Sequence, residues 1–572
     1  MNKKYEKAKQ LLSSGKFKQA RDVISKYNKS VKYSDLHSIV LQGICEMELG
    51  IAVKAKELFS IALSLSPEDS DRSIIHSNLY SIYLGEQNDN KAIAHLLLAL
   101  EYAPFEKRND YRMKLAKVYY VNNDFYKTIE ICKKLQVYHE YTVKSLFLIV
   151  HSSIALSDYS KLDYYLRQLE GRLNELNSDQ LNILATLIGF HRSGDVSQTF
   201  FRIIQQGGNP NVVNTMLAQH MLKEGDVKGA LPIINQVEYS AFKLKDSTAK
   251  KVYFETKAQL ALQSEQIAES FAAFKNMNEV VRAEFANTNW QVRDHYQLYK
   301  DLPKIDIYPD NVAKDKKKNI AFLVGFPRSG TTLLESILDT LPQIASLSEK
   351  PVLLDVGKVP ALDGHRYPES ITKIPDEYRQ QLRDLYYEKA KSFIGSDKDP
   401  DNCLLIDKNP FEMMRIPLIL SIFPEAKIIL AVRHPLDCVL SCFMQNFRIN
   451  PQLAYFTDLE STFERYHKLF SLYQQYKDMY QFDDHIIRYE DVVADLNGSV
   501  KKLLAYLQID TDQRDFSQFD QHAKKRVVNT PSAQQVRNKI NNHAVYRWKT
   551  FNQQLSPYKH IVEPYIKQFG YE

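Results

Sequence analysis

The residues that point most directly to chemistry form a glycine-bounded loop between an apolar run and an amphipathic stretch. The apolar run Ile320–Val324 leads into the loop Gly325–Thr332, and Leu333–Leu341 follows with helical spacing. A strand, a glycine loop and a helix in this order direct several backbone N–H groups and a helix N-terminus at one anion. The sequence therefore predicts a phosphate-binding loop.

This loop lacks the lysine that binds nucleoside triphosphates. The spacing from Gly325 to Gly330 matches the triphosphate loop G-x-x-x-x-G-K-[ST], but Thr331 stands at the lysine position and Arg328 supplies the positive charge. A kinase or NTPase uses that lysine and Mg²⁺ to neutralise the β- and γ-phosphates. A phosphosulfate needs less neutralisation, so the loop favours such a ligand without a metal ion.

Two further basic residues follow predicted strands. Arg433 comes directly after the run Ile428–Val432, and Lys408 follows Leu404–Ile406. A guanidinium grips phosphate in a fixed fork, and a lysine beside a leaving oxygen stabilises its developing charge. Both side chains are predicted to face the crevice at the carboxyl ends of the strands. The alternatives are an ion pair between Arg433 and Asp437, and an ordinary surface position for Lys408.

Together these elements resemble the sulfotransferase superfamily. The segment Pro327–Thr332 is similar to its 5′-phosphosulfate loop, and Arg433 with Ser441, eight residues later, is similar to its 3′-phosphate element. The resemblance implies that the chain binds the donor 3′-phosphoadenosine 5′-phosphosulfate (PAPS), releases 3′,5′-ADP and needs no metal, with Lys408 on the bridging oxygen that leaves. It implies that the 5′-phosphate is held by Arg328, Ser329, Gly330, Thr331 and Thr332.

A narrower resemblance links the chain to the tyrosylprotein sulfotransferases. Their base is a glutamate about twenty residues after the loop arginine, and Glu349 follows Arg328 by 21 residues. Ser532 is similar to their serine near the reacting centre, and Tyr489 and Trp548 are similar to residues of their nucleotide site. The resemblance thus implies catalytic roles for Glu349, Lys408, Ser532 and Arg328.

The chain also departs from that group. Pro351 and Gln445 stand where the group has arginines, and Asn538–Lys539 stands where it has a basic residue followed by proline. The first departure bears on a peptide-tyrosine acceptor, and the second on the number of contacts to the 3′-phosphate. A histidine base therefore stays open, and the candidates are His434, His522 and His543.

The elements that must position these residues alternate between strands and helices. Apolar runs at 320–324, 404–406, 428–432 and 486–489 are separated by helical stretches such as Thr462–Tyr476. Alternation of this kind predicts a P-loop-like α/β domain, in which a parallel sheet is flanked by helices. Asp301–Lys318, with two prolines and a lysine run, is predicted to be a linker, which places this domain at 319–572.

The preceding part of the chain repeats with a period near that of tetratricopeptide (TPR) motifs. Gly15–Ala20 recurs as Gly50–Ala55 at an offset of 35 residues, and weaker echoes follow as far as Gly225–Ala230. A glycine at the turn and an alanine at the close helix contact are typical of stacked helix pairs. Residues 1–300 are therefore predicted to form an all-α TPR-like solenoid.

Composition sets broader limits. The 572 residues, 44% of them apolar, predict at least two domains. A net charge of +6 is no nucleic-acid signature, although it suits a nucleotide site. Five cysteines indicate a reducing compartment, and Cys438 and Cys442 are expected to be plain buried thiols. Without an apolar leader or a long apolar run, a cytoplasmic protein that contacts no membrane is expected.

These observations lead to several hypotheses. The first is a PAPS-dependent sulfotransferase whose acceptor is a peptide or protein tyrosine, recruited by the repeats. The second changes the acceptor to a carbohydrate, a lipid or a small phenol, with the repeats serving assembly, including a homodimer. A nucleotide kinase or NTPase, opposed by the missing lysine, and a catalytically dead TPR adaptor remain as alternatives.

Overall fold

The computed structural model places most of the chain. It describes residues 3–156, 158–288, 296–305, 319–357, 367–368, 371, 374–394, 398–399, 402–447, 450–510, 514–519 and 542–571. The chain folds into two compact units. The first is Met1–His191 with Gln205–Gly207, and the second is Arg192–Ile204 with Gly208–Glu572. The domain limits given above stay predictions, because residues 306–318 of the linker lie outside the described residues.

The first unit consists of paired helices, in agreement with the predicted solenoid. These helices are α1 Lys3–Ser13, α2 Phe17–Ser30, α3 Leu36–Glu48, α4 Ala52–Ser64, α5 Asp69–Gly85, α6 Asp89–Glu101, α7 Phe105–Val121, α8 Phe125–Leu135, α9 His139–Leu156, α10 Leu162–Glu170 and α11 Ser178–His191. None of the described helices is long and apolar enough to cross a membrane.

The glycines and alanines of the first two repeats have the backbone conformation and the burial that the sequence predicts. Gly15 and Gly50 have φ of 74° and 76°, the left-handed conformation that lets each chain segment turn directly after a helix. Ala20 and Ala55 are fully buried, where a larger side chain would push the packed helices apart. The two residue types therefore serve different parts of one helix–turn–helix unit.

Helices continue beyond this unit. They are α12 Ser197–Gln205, α13 Pro210–Lys223, α14 Val227–Asn235, α15 Ser247–Gln263, α16 Ile267–Ala286 and α17 Tyr296–Lys300. Within the second unit, Phe274 and Met277 of α16 belong to the same buried cluster as the strand residues Phe322 and Ile428. The helix pair α15–α16 is thus part of the hydrophobic core that supports the sheet.

The sheet has five parallel strands in the order β2-β3-β1-β4-β5. Their bounds are β1 Ile320–Gly325, β2 Ile344–Ser346, β3 Leu404–Lys408, β4 Lys427–Val432 and β5 Asp484–Arg488. This confirms the predicted α/β class. The sequence missed β2 because three residues carry too little periodicity, and β5 ends at Arg488 because Tyr489 starts the next helix.

Helices flank both faces of the sheet. They are α18 Thr331–Leu338, α19 Val352–Gly357, α20 Asp376–Lys391, α21 Ile416–Ile422, α22 Pro435–Phe443, α23 Leu459–Tyr480, α24 Tyr489–Ala494, α25 Leu496–Leu507, α26 Asn552–Leu555 and α27 Lys559–Gln568. Alternate residues of β1 enter two separate cores, Phe322 and Val324 on one face and Ala321 and Leu323 on the other. Strand order reverses at β1, which places a crevice at its carboxyl end.

A glycine substitution tests the close packing of the repeats. A Cβ added at Gly43 would lie 2.6 Å from the Phe59 ring, whereas one added at Gly85 meets nothing within 4 Å. We expect Gly43→Ala to lower the free energy of unfolding by about 1–3 kcal/mol through overpacking. Gly85→Ala, the matched control, should leave it unchanged or raise it by up to about 1 kcal/mol. Urea unfolding of both variants measures this, and equal effects would contradict the packing described.

Candidate active site

The glycine loop between β1 and α18 is pressed between two neighbours. A Cβ at Gly325 would lie 2.4 Å from the carbonyl oxygen of Ala431 on β4. Gly330 has φ of 96°, and a Cβ there would lie 2.8 Å from the Tyr489 ring. Neither position admits a side chain without movement of backbone or ring. The loop therefore lies at the switch point with its backbone close to both neighbouring elements.

At this loop, two side chains that the resemblance assigns to different phosphates are hydrogen-bonded to each other. Nε of Arg328 donates to Oγ of Ser441 at 2.9 Å, although the resemblance assigns these residues to opposite ends of the donor. Thr331 and Thr332, each 4% exposed, form the first residues of α18. The buried hydroxyl of Ser329 has no hydrogen-bond partner among the described residues. A buried hydroxyl needs a hydrogen-bond partner, and a ligand bound in this loop would supply one.

Arginine side chains crowd the same end of the sheet. Nη1 of Arg433 donates to the carbonyl of Arg328 at 3.2 Å, its Nη2 donates to the carbonyl of Ala544, and its guanidinium lies 4.9 Å from the Tyr489 ring centre. Burial, with a contribution from Arg433, lowers the pKa of Arg328 to about 10. Burial and Arg433 also lower the pKa of Arg547. Three arginines thus lie near one another at this end of the sheet, an arrangement that suits an anionic ligand.

A buried lysine lies at the end of β3, the neighbour of β1 in the sheet. Nζ of Lys408, the last residue of β3, lies 2.6 Å from Oε1 of Glu349 and 3.1 Å from Oε2 of Glu335. Lys408 is fully buried. Burial by itself would lower the pKa of Lys408, but the two carboxylates outweigh burial and raise it. Lys408 therefore stays a charged donor, and the surface position considered for it is wrong.

Glu335 is a member of this cluster that sequence reasoning missed. It lies on α18, four residues after Thr331, and its side chain is fully buried. Its Oε1 accepts hydrogen bonds from the hydroxyls of Ser346, at 2.6 Å, and Ser348. The available signal was a single carboxylate within a helix that carries no other charged residue, because such a charge must find a partner when it is buried.

Glu349 is held by backbone as well as by charge. Its N–H donates to the Lys408 carbonyl at 2.8 Å, and Ser348 and Glu349 both adopt left-handed φ, 46° and 59°. Two consecutive non-glycine residues in this region are strained, and such strain concentrates at functional sites. In contrast to Glu335, the Glu349 side chain keeps 35% of its surface exposed. Glu349 is thus the carboxylate of the pair that solvent or a ligand can reach.

A cavity of about 290 Å³ adjoins these groups. Its lining includes Arg328, Thr331 and Glu349. The lining also combines aromatic or apolar side chains with carboxamides, namely Phe411, Phe447, Leu453, Asn409, Asn450 and Gln452. The cavity therefore borders the glycine loop, Glu349 and a partly aromatic surface.

His434 and Trp548 form a separate aromatic cluster. Their rings stack with centroids 5.0 Å apart, and His434 also contacts Tyr546 and Tyr571. His434 is 2% exposed, and burial lowers its pKa to about 4. The backbone N–H of Trp548 donates to Asp437 at 2.8 Å. His434 thus packs as a neutral core side chain, and the described cavity lining does not include it.

The remaining predicted residues are placed as follows. Ser532 and His522, with Asn538–Lys539, lie outside the described residues, and the His543 side chain is exposed. Cys438 and Cys442 are buried thiols whose pKa values burial raises. Asp437 lies 3.9 Å from Arg433, so the two form a long ion pair beside the arginine cluster. Among the described residues, no group of three or more His, Cys, Asp or Glu is arranged to hold a metal ion.

Comparisons with known proteins address the same region. Residues 321–513 match the family model described as Sulfotransferase family, which confirms the resemblance to the sulfotransferase superfamily for this part of the chain. An uncharacterized protein of Aquifex aeolicus is 26% identical over 328 residues, 52% of this chain and 39% of that protein. Nodulation protein NoeE of Sinorhizobium fredii is 31% identical over 128 residues, 20% of this chain and 29% of that protein.

One solved structure among those similar to the chain is the sulfotransferase domain from the curacin biosynthetic pathway. Its sequence identity is 21% and its TM-score 0.27, and the match covers 41% of this chain and 91% of that domain.

The chain spans less than half the length of each of the two curated relatives, since the matches cover 39% and 29% of them.

The buried cluster yields a stability prediction. Glu335→Gln keeps an oxygen for the two serine hydroxyls but removes one of the two charges that hold Lys408. We expect the free energy of unfolding to fall by about 2 kcal/mol, the range for a hydrogen bond to a charged group. Glu563→Gln, whose side chain is 53% exposed and pairs with Lys567 only at 3.5 Å, is the matched control. Urea unfolding that gives the same value for both variants would contradict the role assigned to Glu335.

Proposed function

We propose that this sulfotransferase-family region transfers a sulfuryl group from PAPS to an acceptor hydroxyl. The observation that carries the proposal is the convergence of Arg328, Arg433 and Arg547 beside a glycine loop, at a cavity that is lined by Arg328 and also by Glu349 of the Lys408–Glu349 pair. The arginines supply an anion site, and the pair supplies an acid and a base. Together they meet the two chemical requirements of sulfuryl transfer.

The described residues fit the donor. The loop backbone with Ser329, Thr331 and Thr332 would bind the 5′-phosphate, and the unpartnered hydroxyl of Ser329 is available for it. Arg433 and Ser441 would bind the 3′-phosphate, the group that distinguishes PAPS from ADP and ATP. The absence of a lysine after Gly330 argues against a triphosphate, because the β- and γ-phosphates would lack their usual counter-charge.

Each reacting proton has a candidate partner. Glu349 would accept the proton of the acceptor hydroxyl as the hydroxyl oxygen forms its bond to sulfur. Lys408 would donate to the bridging oxygen as the sulfur–oxygen bond breaks and 3′,5′-ADP leaves, which stabilises the charge that develops there. Glu335 would keep Lys408 charged and in place when Glu349 turns towards the acceptor, because Glu335 is buried and held by two hydroxyls.

Among acceptors, we propose a phenolic hydroxyl, that of a peptide or protein tyrosine presented by the repeats. The cavity of about 290 Å³ is small for a ligand site and suits a single ring. Phe411, Phe447 and Leu453 would cover the ring faces while Glu349 meets the hydroxyl. This arrangement favours a side chain that enters the cavity alone.

A carbohydrate hydroxyl is the second candidate. Asn409, Asn450 and Gln452 bring three carboxamide groups to the same cavity. Amides donate and accept hydrogen bonds, and so could bind several hydroxyls of one sugar. An acceptor screen with the full chain, comparing tyrosine peptides, small phenols and oligosaccharides, separates the two candidates.

Binding of the donor product tests the nucleotide site. We expect calorimetry without metal to show micromolar binding of 3′,5′-ADP and much weaker binding of ADP and ATP. Arg433→Ala should weaken 3′,5′-ADP binding by about a hundredfold, because it removes a buried charge from the phosphate. Lys549→Ala, an exposed cation nearby, is the control. A preference for ATP, or a requirement for Mg²⁺, would support a kinase or NTPase instead.

Turnover tests the base. Glu349→Gln should lower kcat by about 10²–10⁴-fold, the usual contribution of a general base, while 3′,5′-ADP binding stays within a few-fold of wild type. Glu388→Gln, an exposed glutamate on α20, should retain full activity. If Glu349→Gln turned over normally, a histidine or another group would have to serve as the base.

A further inference from the structure

Helices α15 and α16 contact the chain on either side of several residues that line the cavity. Asn278 on α16 is 2% exposed, and its Nδ2 donates to the carbonyl of Phe443 at 2.8 Å. Phe443 is the final residue of α22, where backbone carbonyls have no partner within the helix. The Asn278 amide therefore satisfies one of these carbonyls and fixes the point where the chain leaves α22.

A second set of contacts lies close to the first. Nδ2 of Asn446 donates to Oε2 of Glu255 on α15 at 3.2 Å. The Phe271 ring of α16 stacks on Phe443 with centroids 5.2 Å apart. Burial raises the pKa of Glu255, whose carboxyl accepts this hydrogen bond from Asn446. The chain at Phe443 and Asn446, where it leaves α22, is thus held by both α15 and α16.

The same helix also holds the far end of this segment. Nη1 of Arg282 donates to the carbonyl of Thr457 at 3.3 Å and lies 4.0 Å from Asp458. Between the two points of attachment lie the cavity-lining residues Phe447, Asn450, Gln452 and Leu453. The α15–α16 pair is thus attached to the chain both before and after these residues, which line the same cavity as Glu349.

We propose that α15–α16 is a positioning element for the acceptor, so that the last repeat-like helix pair sets acceptor specificity while the donor site is left alone. None of the contacts described above for α15 and α16 involves the glycine loop, Arg433 or Lys408. Movement of these cavity-lining residues would change the distance between Phe447 or Leu453 and Glu349, the residue proposed to meet the acceptor. The inference rests on the proposed sulfuryl transfer, and it assigns to these helices a role in its second substrate.

A kinetic comparison on the full chain tests this role. Asn278→Ala should raise the acceptor KM about tenfold, a loss of about 1.4 kcal/mol, with 3′,5′-ADP binding unchanged. Asn276→Ala, on the exposed face of α16, is the matched control. 4-Nitrophenol is the probe acceptor, replaced by the best compound of the acceptor screen if it is not turned over.

A second variant covers the case in which Asn278→Ala fails to fold. Arg282→Ala removes a side chain that is 43% exposed and should raise the acceptor KM in the same direction, with Lys275→Ala as its control. Hydrogen exchange should become faster in residues 443–447 and 450–457 of both variants and stay unchanged in 325–332. Acceptor KM and exchange equal to those of the controls would overturn the proposal. Failure of the wild type to bind 3′,5′-ADP would instead count against the proposed function itself.

Discussion

The candidate site depends on one buried ammonium group shared by two carboxylates. Lys408 ends the third strand, Glu335 lies on the helix after the glycine loop, and Glu349 follows the short second strand. A buried lysine is costly unless it is paired, and one carboxylate would leave a neutral cluster. The second carboxylate leaves a net negative charge, which is tolerable here because two serine hydroxyls solvate Glu335. The position of the second strand, of α18 and of the cavity all follow from keeping these three groups together.

Helix α18 therefore serves both halves of the site. Its N-terminus, with Thr331 and Thr332, carries backbone N–H groups that would bind an anion in the proposed reaction. One turn later Glu335 reaches the lysine on the neighbouring strand. A rotation of this helix would disturb the anion site and the ion cluster at once. The close approach of Gly325 to the backbone of the fourth strand fixes that rotation, because the loop has no space to shift.

Much of this could be predicted, since the strongest signals are local. The strand, loop and helix around Gly325–Thr332 and the basic residues Lys408 and Arg433 can be recognised from short segments. Glu335 is harder to recognise, because a glutamate in a helix is usually solvated and only the tertiary structure shows that this one is buried. The contact between Asn278 and Phe443 joins residues 165 positions apart, and no repeat pattern encodes it. The repeat register also could not show that Phe274 and Met277 enter the core of the α/β sheet.

The hydrogen bond from Arg328 to Ser441 has a thermodynamic consequence. It joins the loop of the first strand to the helix of the fourth, and Arg433 adds a second link through the carbonyl of Arg328. A ligand that engages one end of this network must rearrange side chains that belong to the other end. The two ends of a nucleotide would consequently not contribute independent increments of binding free energy. The binding free energies of two ligand fragments, measured separately, would therefore sum to less than that of the whole ligand, because contacts that are coupled are not additive.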